Sequence, residues 1–389
     1  MIIYIADFYR INREHQVYNM TMLDILSMLP KISQVNFMAH DGQIAYIKAE
    51  HQFQSGVPIN FIPVRVHHRV GGKHWISKIY YELKNACALL KTAAPDDFIF
   101  FCSLSPITSL FFKIYKKKFP NKKVIITLHG DIDFIQQNKS RFRNLLGKFF
   151  KWSFRLKDNY TKYLVLSDTI RQNLIREHFL ASSEVFAINH PYVFDRLGER
   201  KSNSKTLHIG HIGVASTEKN TQFIFELAAL LKTEIGQGKV KFSIIGMSAN
   251  IHEYSNALVT YNNAAEMLSK DEFNTKIDEL DYTVFFYSDE NYKFCSSGAI
   301  LDAIHHKIPI LSIKNQGFQA IFAEADGEIG ILVNDVKEMA QTIRRIIQEP
   351  DPEKYTSMVN NLAAYQEKYT TEHVSKQLLK QIKTFLYEC

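Results

Sequence analysis

The sequence predicts an α/β protein made of two Rossmann-like, doubly wound domains, and three observations carry that expectation. Short apolar runs rich in Ile, Val, Phe and Tyr alternate with helical patterns, as parallel strands joined by helical crossovers do. The alternation halts at a polar stretch, "DRLGERKSNSK" (195–205), and then restarts. At 389 residues the chain is also longer than one ordinary core organises.

In the first set, strands are expected at 1–8, 34–40, 61–66, 97–103, 123–129, 162–167 and 185–190. Helices fill 16–29, 76–93, 105–118, 138–156 and 168–178 between them. The second set has strands at 207–213, 240–246, 257–261, 281–287, 308–313 and 329–333. Its helices fall at 219–233, 264–279, 298–306, 317–324 and 336–348, and the chain from 353 to 389 reads as helical throughout. The expected organisation is a first domain over 1–194 and a second over 195–365, facing each other across a cleft, with ligands at the carboxyl ends of the strands.

Composition narrows the class. With 46% hydrophobic and 22% charged residues the chain reads as soluble and globular. "IIYIADF" after Met1 is too short for a signal peptide, and no run reaches the roughly 18 apolar residues of a membrane span. Cys87, Cys102, Cys295 and Cys389 form no CxxC or Cys/His cluster, which points to reduced thiols in a cytoplasmic setting and away from a zinc site. Charge is lopsided: residues 1–200 hold 28 Lys and Arg against 16 Asp and Glu, the remainder 19 against 24. A basic first half favours an anionic partner.

Three segments of the second half carry candidate chemistry. "GHIGVASTEKN" runs strand, glycine, polar loop and Lys219 at the start of a helix. Gly213 permits a tight turn and close ligand approach, Lys219 at the start of the following helix is a candidate to reach an anion beside its free N–H groups, and Ser216 is a further donor-binding candidate. "SIIGMSAN" repeats the strand–glycine ending at Gly246. "YKFCSSGAILDAIHHKIPIL" (292–311) places Ser296, Ser297 and Gly298 before an apolar helix, with Asp302 one turn further in. Such a helix end is either an ordinary serine cap or a seat for phosphate, with the aspartate placed for ribose hydroxyls.

Taken in order, these pieces resemble the donor half of GT-B glycosyltransferases, in particular the family-four-like retaining group. That group's G-R-x4-K-G segment corresponds to Gly213-Val214-x4-Lys219-Asn220, and its E-x7-E-A-M-A-x-G-x-P motif to Phe294-x7-Asp302-Ala303-Ile304-x3-Ile308-Pro309. A subgroup with Tyr followed by Ser-Gly lies closer to "YKFCSSGAILDAI". Val214 replaces the family's arginine and Phe294 the first glutamate of its pair. The resemblance implies that Lys219 and the Ser296–Gly298 amides hold a diphosphate, that Asp302 takes the ribose, and that Tyr261 in "ALVTYNN" lies beside the nucleobase. It also implies that the terminal segment 366–389 returns as a helix to the first domain.

In the first half "KVIITLHGDIDF" ends a strand in His129-Gly130, and the same resemblance puts that histidine near the transferred sugar. "YLVLSDTIRQNLI" and "VFAINHPY" match the segments before the crossing to the second domain. Arg10, Asn12 and Arg13, in a first loop without glycine, are candidates for acceptor contact. Asp131-Ile132-Asp133 is a D-x-D, a metal ligand in GT-A enzymes, but a second complete α/β domain makes it incidental here. Asp131 stays a candidate general base for an inverting reaction.

Residues 113–157 hold two basic clusters, "KIYKKKFPNKK" and "RFRNLLGKFFKWSFRLK", the second with Phe142, Leu145, Leu146, Phe149, Trp152 and Leu156 on one helical face. They are expected to dock on an anionic membrane rather than on nucleic acid, for which no recognition motif is present. The resulting expectation is a cytoplasmic hexosyltransferase at the inner face of the membrane, active in cell-surface polysaccharide biosynthesis. It moves sugar from a UDP- or GDP-linked donor to a glycan or lipid-linked acceptor, with no metal and no separate cofactor. A nucleotide-sugar epimerase of the same frame and a non-catalytic glycan- or membrane-binding relative are the competing classes.

Overall fold

The computed structural model describes residues 1–389 except 12–14, 54, 67–73, 137–139, 195–204, 263–267 and 388–389, and the side chains of 249, 250 and 291. Most of the polar stretch 195–205 therefore lies outside the described residues. The chain divides into two compact units. Unit 1 comprises Met1–Val193, Phe294–Ser296 and Lys368–Cys389; unit 2 comprises Phe194–Lys293 and Ser297–Glu367.

Unit 1 is built on strands β1 (Ile2–Asp7), β2 (Gln34–Ala39), β3 (Ile59–Pro63), β4 (Phe98–Phe101), β5 (Lys123–Thr127), β6 (Thr161–Val165) and β7 (Val185–Ala187). They form one parallel sheet in the order β3-β2-β1-β4-β5-β6-β7, with Ile3 opposite Val35 on one side and Phe98 on the other. Unit 2 repeats the plan with β8 (Leu207–Ile212), β9 (Val240–Ile245), β10 (Val259–Tyr261), β11 (Tyr282–Phe285), β12 (Ile310–Ile313) and β13 (Gly330–Val333). Its order is β10-β9-β8-β11-β12-β13, again all parallel. Strands covered on both faces need no polar alternation, which is why runs such as "FIFF" in β4 are wholly buried.

Unit 1 carries helices α1 (Gln16–Ser27), α2 (Asp41–Glu50), α3 (Trp75–Thr92), α4 (Pro106–Lys116), α5 (Arg141–Arg155) and α6 (Asp168–Arg176). Unit 2 carries α7 (Phe223–Leu230), α8 (Lys232–Gly236), α9 (Lys270–Asp278), α10 (Asp289–Tyr292), α11 (Gly298–His305), α12 (Gln316–Glu324), α13 (Val336–Gln348) and α14 (Pro352–Tyr365). The last helix, α15 (Thr371–Tyr387), belongs to unit 1. Its Val374, Leu378, Ile382 and Leu386 share a core with Ile25 and Leu26 of α1, each such burial stabilising by about 2 kcal/mol. Gln381 exchanges hydrogen bonds with the backbone of Ala187, and the Asn189 N–H donates to Gln377 at 2.8 Å, so the β7 edge is covered.

Every expected strand is present, with the third shifted to Ile59–Pro63. Helix α2 is an addition to the expected set: it buries only Gln43, Ile44 and Ile47, too few apolar positions to register as periodicity. The expected helix 219–233 is two pieces, and α7 begins only at Phe223. On α5 the inward residues are Gly147, Phe150, Ser153 and Phe154, whereas Phe142, Leu145 and Trp152 point to solvent. Of the lysines in "KIYKKKFPNKK", Lys113, Lys116 and Lys122 are buried. Lys113 Nζ donates to the Tyr163 hydroxyl (3.2 Å), Lys116 pairs with Asp158 (2.7 Å), and Lys122 donates to the Ala93 carbonyl. Half of that run's six lysines are therefore not part of the solvated basic surface its composition implies.

Candidate functional site

In unit 2 the residues of interest converge at the carboxyl ends of β8, β9 and β11. Gly213 leaves β8 at φ 86° and Gly246 leaves β9 at φ 132°. A Cβ at Gly246 runs into the Gly213 carbonyl, so a side chain is excluded by backbone. The two turns are joined by Gly213 N–H to Ile245 O (2.9 Å) and Ala215 N–H to Met247 O (2.8 Å). A Cβ at Gly213 meets Ala299 Cβ at 3.3 Å, which sets this turn against the first turn of α11.

Lys219 lies in a short 3-10 turn, Thr217–Lys219, one turn ahead of α7 rather than inside its first turn. Ser216 caps that turn by accepting from the Lys219 N–H, so its hydroxyl is engaged locally. Asn220 adopts the left-handed conformation (φ 54°) and its Nδ2 donates to the Phe286 carbonyl at 3.0 Å. Beneath the loop, buried His211 faces the Val284 carbonyl through Nδ1 (3.3 Å) and Thr221 Oγ1 through Nε2 (3.3 Å). A carbonyl only accepts, so Nδ1 carries the proton and Nε2 accepts from Thr221. Burial, with Lys219 nearby, lowers the His211 pKa to about 3 and keeps the imidazole neutral.

Ser297 stands at the N-cap of α11, but its side chain makes no capping bond. Its hydroxyl pairs with Tyr287 Oη at 2.9 Å instead. Tyr287 is in turn held by a stack on Tyr292 (4.1 Å) and by Asn315 Nδ2 on its carbonyl (3.0 Å). The amides opening α11 thus lack a side-chain cap and carry the positive end of the helix dipole. Gly298 is exposed, with open space where a Cβ would lie. Asp302 is half-buried one turn on, and Ser296 falls in the segment that belongs to unit 1.

Tyr261 ends β10 opposite Ile244, and its hydroxyl meets His252 Nδ1 at 2.7 Å. With Gly246, Thr260 and Asn262 it borders a cavity of about 190 Å³. A far larger concavity, about 1330 Å³, is lined by Leu207, Asp281, Tyr282 and Gly330 at the amino ends of the strands. Ligands of doubly wound sheets bind at the opposite, carboxyl ends, where the glycine turns lie.

In unit 1, β1 ends in the fully buried Asp7. Its Oδ1 accepts the N–H groups of Tyr9 (3.4 Å) and Arg10 (3.2 Å), and its Oδ2 accepts from Asn19 Nδ2 (2.9 Å). His15 precedes α1 in a left-handed conformation (φ 57°) and lays its ring 4.4 Å from His129. Tyr18 meets His129 edge-on at 4.4 Å and bonds Thr127 Oγ1 at 2.9 Å. His129 also bonds the Cys102 backbone, and burial depresses its basicity well below that of a free imidazole. Four buried atoms here have no hydrogen-bond partner among the described residues: Arg10 Nε, His15 Nδ1, Asn19 Oδ1 and His129 Nε2. Native interiors rarely leave such groups unpaired, and a cluster of them is the expected lining of a polar ligand site.

The D-x-D carboxylates diverge. Asp131 lies 4.0 Å from the Arg10 guanidinium, whereas Asp133 accepts the Phe294 N–H at 3.2 Å. Burial raises the Asp133 pKa to about 7, partly offset by that hydrogen bond. Phe294 is itself a core residue of unit 1, its ring edge-on to Phe179, so this position serves packing where the resembling enzymes keep a glutamate. Among the described residues no group of three or more His, Cys, Asp and Glu is placed to hold a metal ion.

Of the expected residues, Gly213, Gly246, Lys219, Ser297, Gly298 and Asp302 gather at one end of unit 2. Arg10, His129 and Asp131 gather at the equivalent end of unit 1, and Asn12 and Arg13 lie outside the described residues. Asp7, His15, Asn19, His211 and Tyr287 were not anticipated. Only Asp7, a carboxylate closing an apolar strand, leaves a trace in sequence.

No family model matches the sequence and no curated protein matches it. Solved structures do match over the whole chain. Sucrose-phosphate synthase from Thermosynechococcus elongatus superimposes with a TM-score of 0.67 at 12% identity, covering 100% of both chains. HepE from Anabaena, in complex with UDP and glucose, gives 0.66 at 13% identity, covering 99% of this chain and 100% of its own. A glycosyltransferase from Rickettsia africae gives 0.63 at 12% identity, covering 100% and 99%. With its two parallel sheets of like strand order, the chain has the GT-B fold.

Proposed function

We propose that the chain is a glycosyltransferase of the hexosyl type, allied to the family-four-like retaining enzymes. It moves sugar from a UDP- or GDP-linked donor to a glycan or lipid-linked saccharide in cell-surface polysaccharide biosynthesis. Its setting in this reading is the cytoplasmic face of the membrane, with peripheral contact to the lipid. The carrying observation is the uncapped start of α11: Ser297 is tied to Tyr287, while Gly213 and Gly246 hold the neighbouring turns clear of side chains. Such a site offers backbone N–H groups and Lys219 to a diphosphate and stabilises it as the leaving group. Asp302 accepts from the ribose, and His129, Asp131 and Arg10 address the sugar and the acceptor hydroxyl. The complex of HepE, of the same fold, with UDP and glucose supports the reading.

The test is release of nucleotide from a panel of nucleotide sugars, with and without lipid extract, for the native chain and for Lys219→Ala and Asp302→Ala. Acceptor-dependent release that both substitutions greatly weaken is the expected result. Conversion of donor without acceptor would identify an epimerase, and failure to bind any nucleoside diphosphate would exclude both enzymatic readings.

A further inference from the structure

Thirteen large apolar side chains are exposed among the described residues, and eight of them lie on three helices that pack side by side in unit 1. They are Trp75, Ile76 and Tyr80 on α3, Phe111 and Ile114 on α4, and Phe142, Leu145 and Trp152 on α5. Both tryptophans of the chain are in this set. Trp75 and Phe142 meet edge-on at 5.8 Å, which joins the starts of α3 and α5 into one surface. Exposed apolar residues are ordinary when scattered, but a contiguous group marks a contact surface.

The arrangement of α5 says what covers it. Phe142, Leu145, Phe149 and Trp152 follow a three-four-three spacing, a stripe about 80° wide at the helical repeat. Gly147, Phe150, Ser153 and Phe154 form the separate buried sector. Arg141, Lys148, Lys151 and Arg155 occupy the third sector, adjoining the apolar stripe on its solvent side. Between Asp133 and Asp158 the sequence has no carboxylate at all. A second copy of the same face would set cations against cations, which disfavours self-association. An anionic bilayer instead meets cations with phosphates and takes tryptophan and leucine at headgroup depth.

We infer that the solvent faces of α3, α4 and α5 form a docking surface for an anionic lipid bilayer, with Trp152, Leu145, Phe142 and Trp75 inserted and the α5 cations on the headgroups. This moves the contact away from the lysine run 113–123, three of whose lysines are buried, and onto an aromatic stripe with one basic flank. The inference does not depend on the donor chemistry of unit 2. It gives the proposed lipid-linked acceptor a surface to arrive from.

The experiment uses the full chain with vesicles of phosphatidylcholine alone or mixed with phosphatidylglycerol, read by flotation and by tryptophan emission. Expected are flotation with the anionic vesicles only, weakened by salt, and a blue-shifted emission quenched by brominated lipid, since both tryptophans report from the surface. Arg141→Gln with Lys148→Gln should lower the partition coefficient about 25-fold, each cation contributing roughly fivefold. Leu145→Glu with Trp152→Glu should abolish flotation while leaving the circular dichroism spectrum unchanged, because these side chains are exposed. The inference is overturned if the native chain does not float, if both double variants float like the native chain, or if the surface proves instead to mediate self-association by sedimentation. UDP or GDP binding, measured by calorimetry on the same samples, keeps a failure of the donor reading distinct from a failure of this one.

Discussion

The loops after β8 and β9 in unit 2 are held to one another by backbone hydrogen bonds, whereas those after β1 and β5 in unit 1 are lined by side chains. In unit 2 Thr221 pairs with His211 and Tyr287 with Ser297, the start of α11 has no side-chain cap, and of the buried side-chain atoms on the loop 213–222 only Gln222 Oε1 has no partner among the described residues. In unit 1 such atoms cluster: Asp7 satisfies the loop amides, while Arg10 Nε, His15 Nδ1, Asn19 Oδ1 and His129 Nε2 have no partner among the described residues. The same strand order thus supports two kinds of loop and, in the proposed reading, two recognition modes. Backbone amides suit a phosphate common to many donors; a cluster of distinct side chains suits a specific pattern of hydroxyls.

Four measurements can break or sharpen this contrast. The largest effect is expected at Gly246→Ala, where a Cβ meets the Gly213 carbonyl at φ 132°. It should cost about 3 kcal/mol or more in denaturant unfolding and abolish nucleotide binding by calorimetry. Retained binding would show that the twin glycine turns do not shape the site. Lys219→Ala should lower kcat/KM for the nucleotide sugar about 100-fold, with the denaturation midpoint unchanged.

Third is the response to acid. Burial lowers the pKa values of His15 and His208 to about 4 and of His211 to about 3, and it depresses His129 and His190 in the same direction. Below about pH 6.5 the unfolded chain binds these protons and the folded chain does not, so stability falls as pH drops toward 4. Glu82 and Asp133, both raised to about 7, act in the opposite sense: their contribution falls as pH rises from about 4 to 7. Five histidines outweigh two carboxylates, and a net loss of about 2 kcal/mol is expected between pH 7 and 5.5 in urea titrations. A flat profile would contradict the neutral imidazoles. The smallest effect is His129→Gln, expected to lower kcat about tenfold while leaving the nucleotide Kd unchanged. A change in Kd instead would erase the division of labour between the units.

The strands were legible because parallel strands buried on both faces are near-continuous apolar runs, as in "KVIIT" and "VKFSII". The glycine turns were legible because a tight turn closing an apolar strand leaves its mark in one segment. Tyr287 and Ser297, by contrast, meet through a hydroxyl pair that no spacing rule encodes, and His211 reads as an ordinary strand residue until Thr221 and Val284 are beside it. The outward turn of the α5 stripe was hidden for a similar reason. The helix has two apolar sectors, and only packing against α4 decides which one is buried.

The place of α15 in unit 1 bears on the order of events during synthesis. Residues 1–193 emerge first, but Tyr18, Ile25 and Leu26 share their core with Val374, Leu378 and Ile382. Until about 180 further residues have been made, roughly 10 s or more at ordinary elongation rates, that flank of α1 is bare and open to chaperones. Unit 2 has all its strands available before then. The half that emerges second is therefore free to settle first, and the first-born half waits for its closing helix.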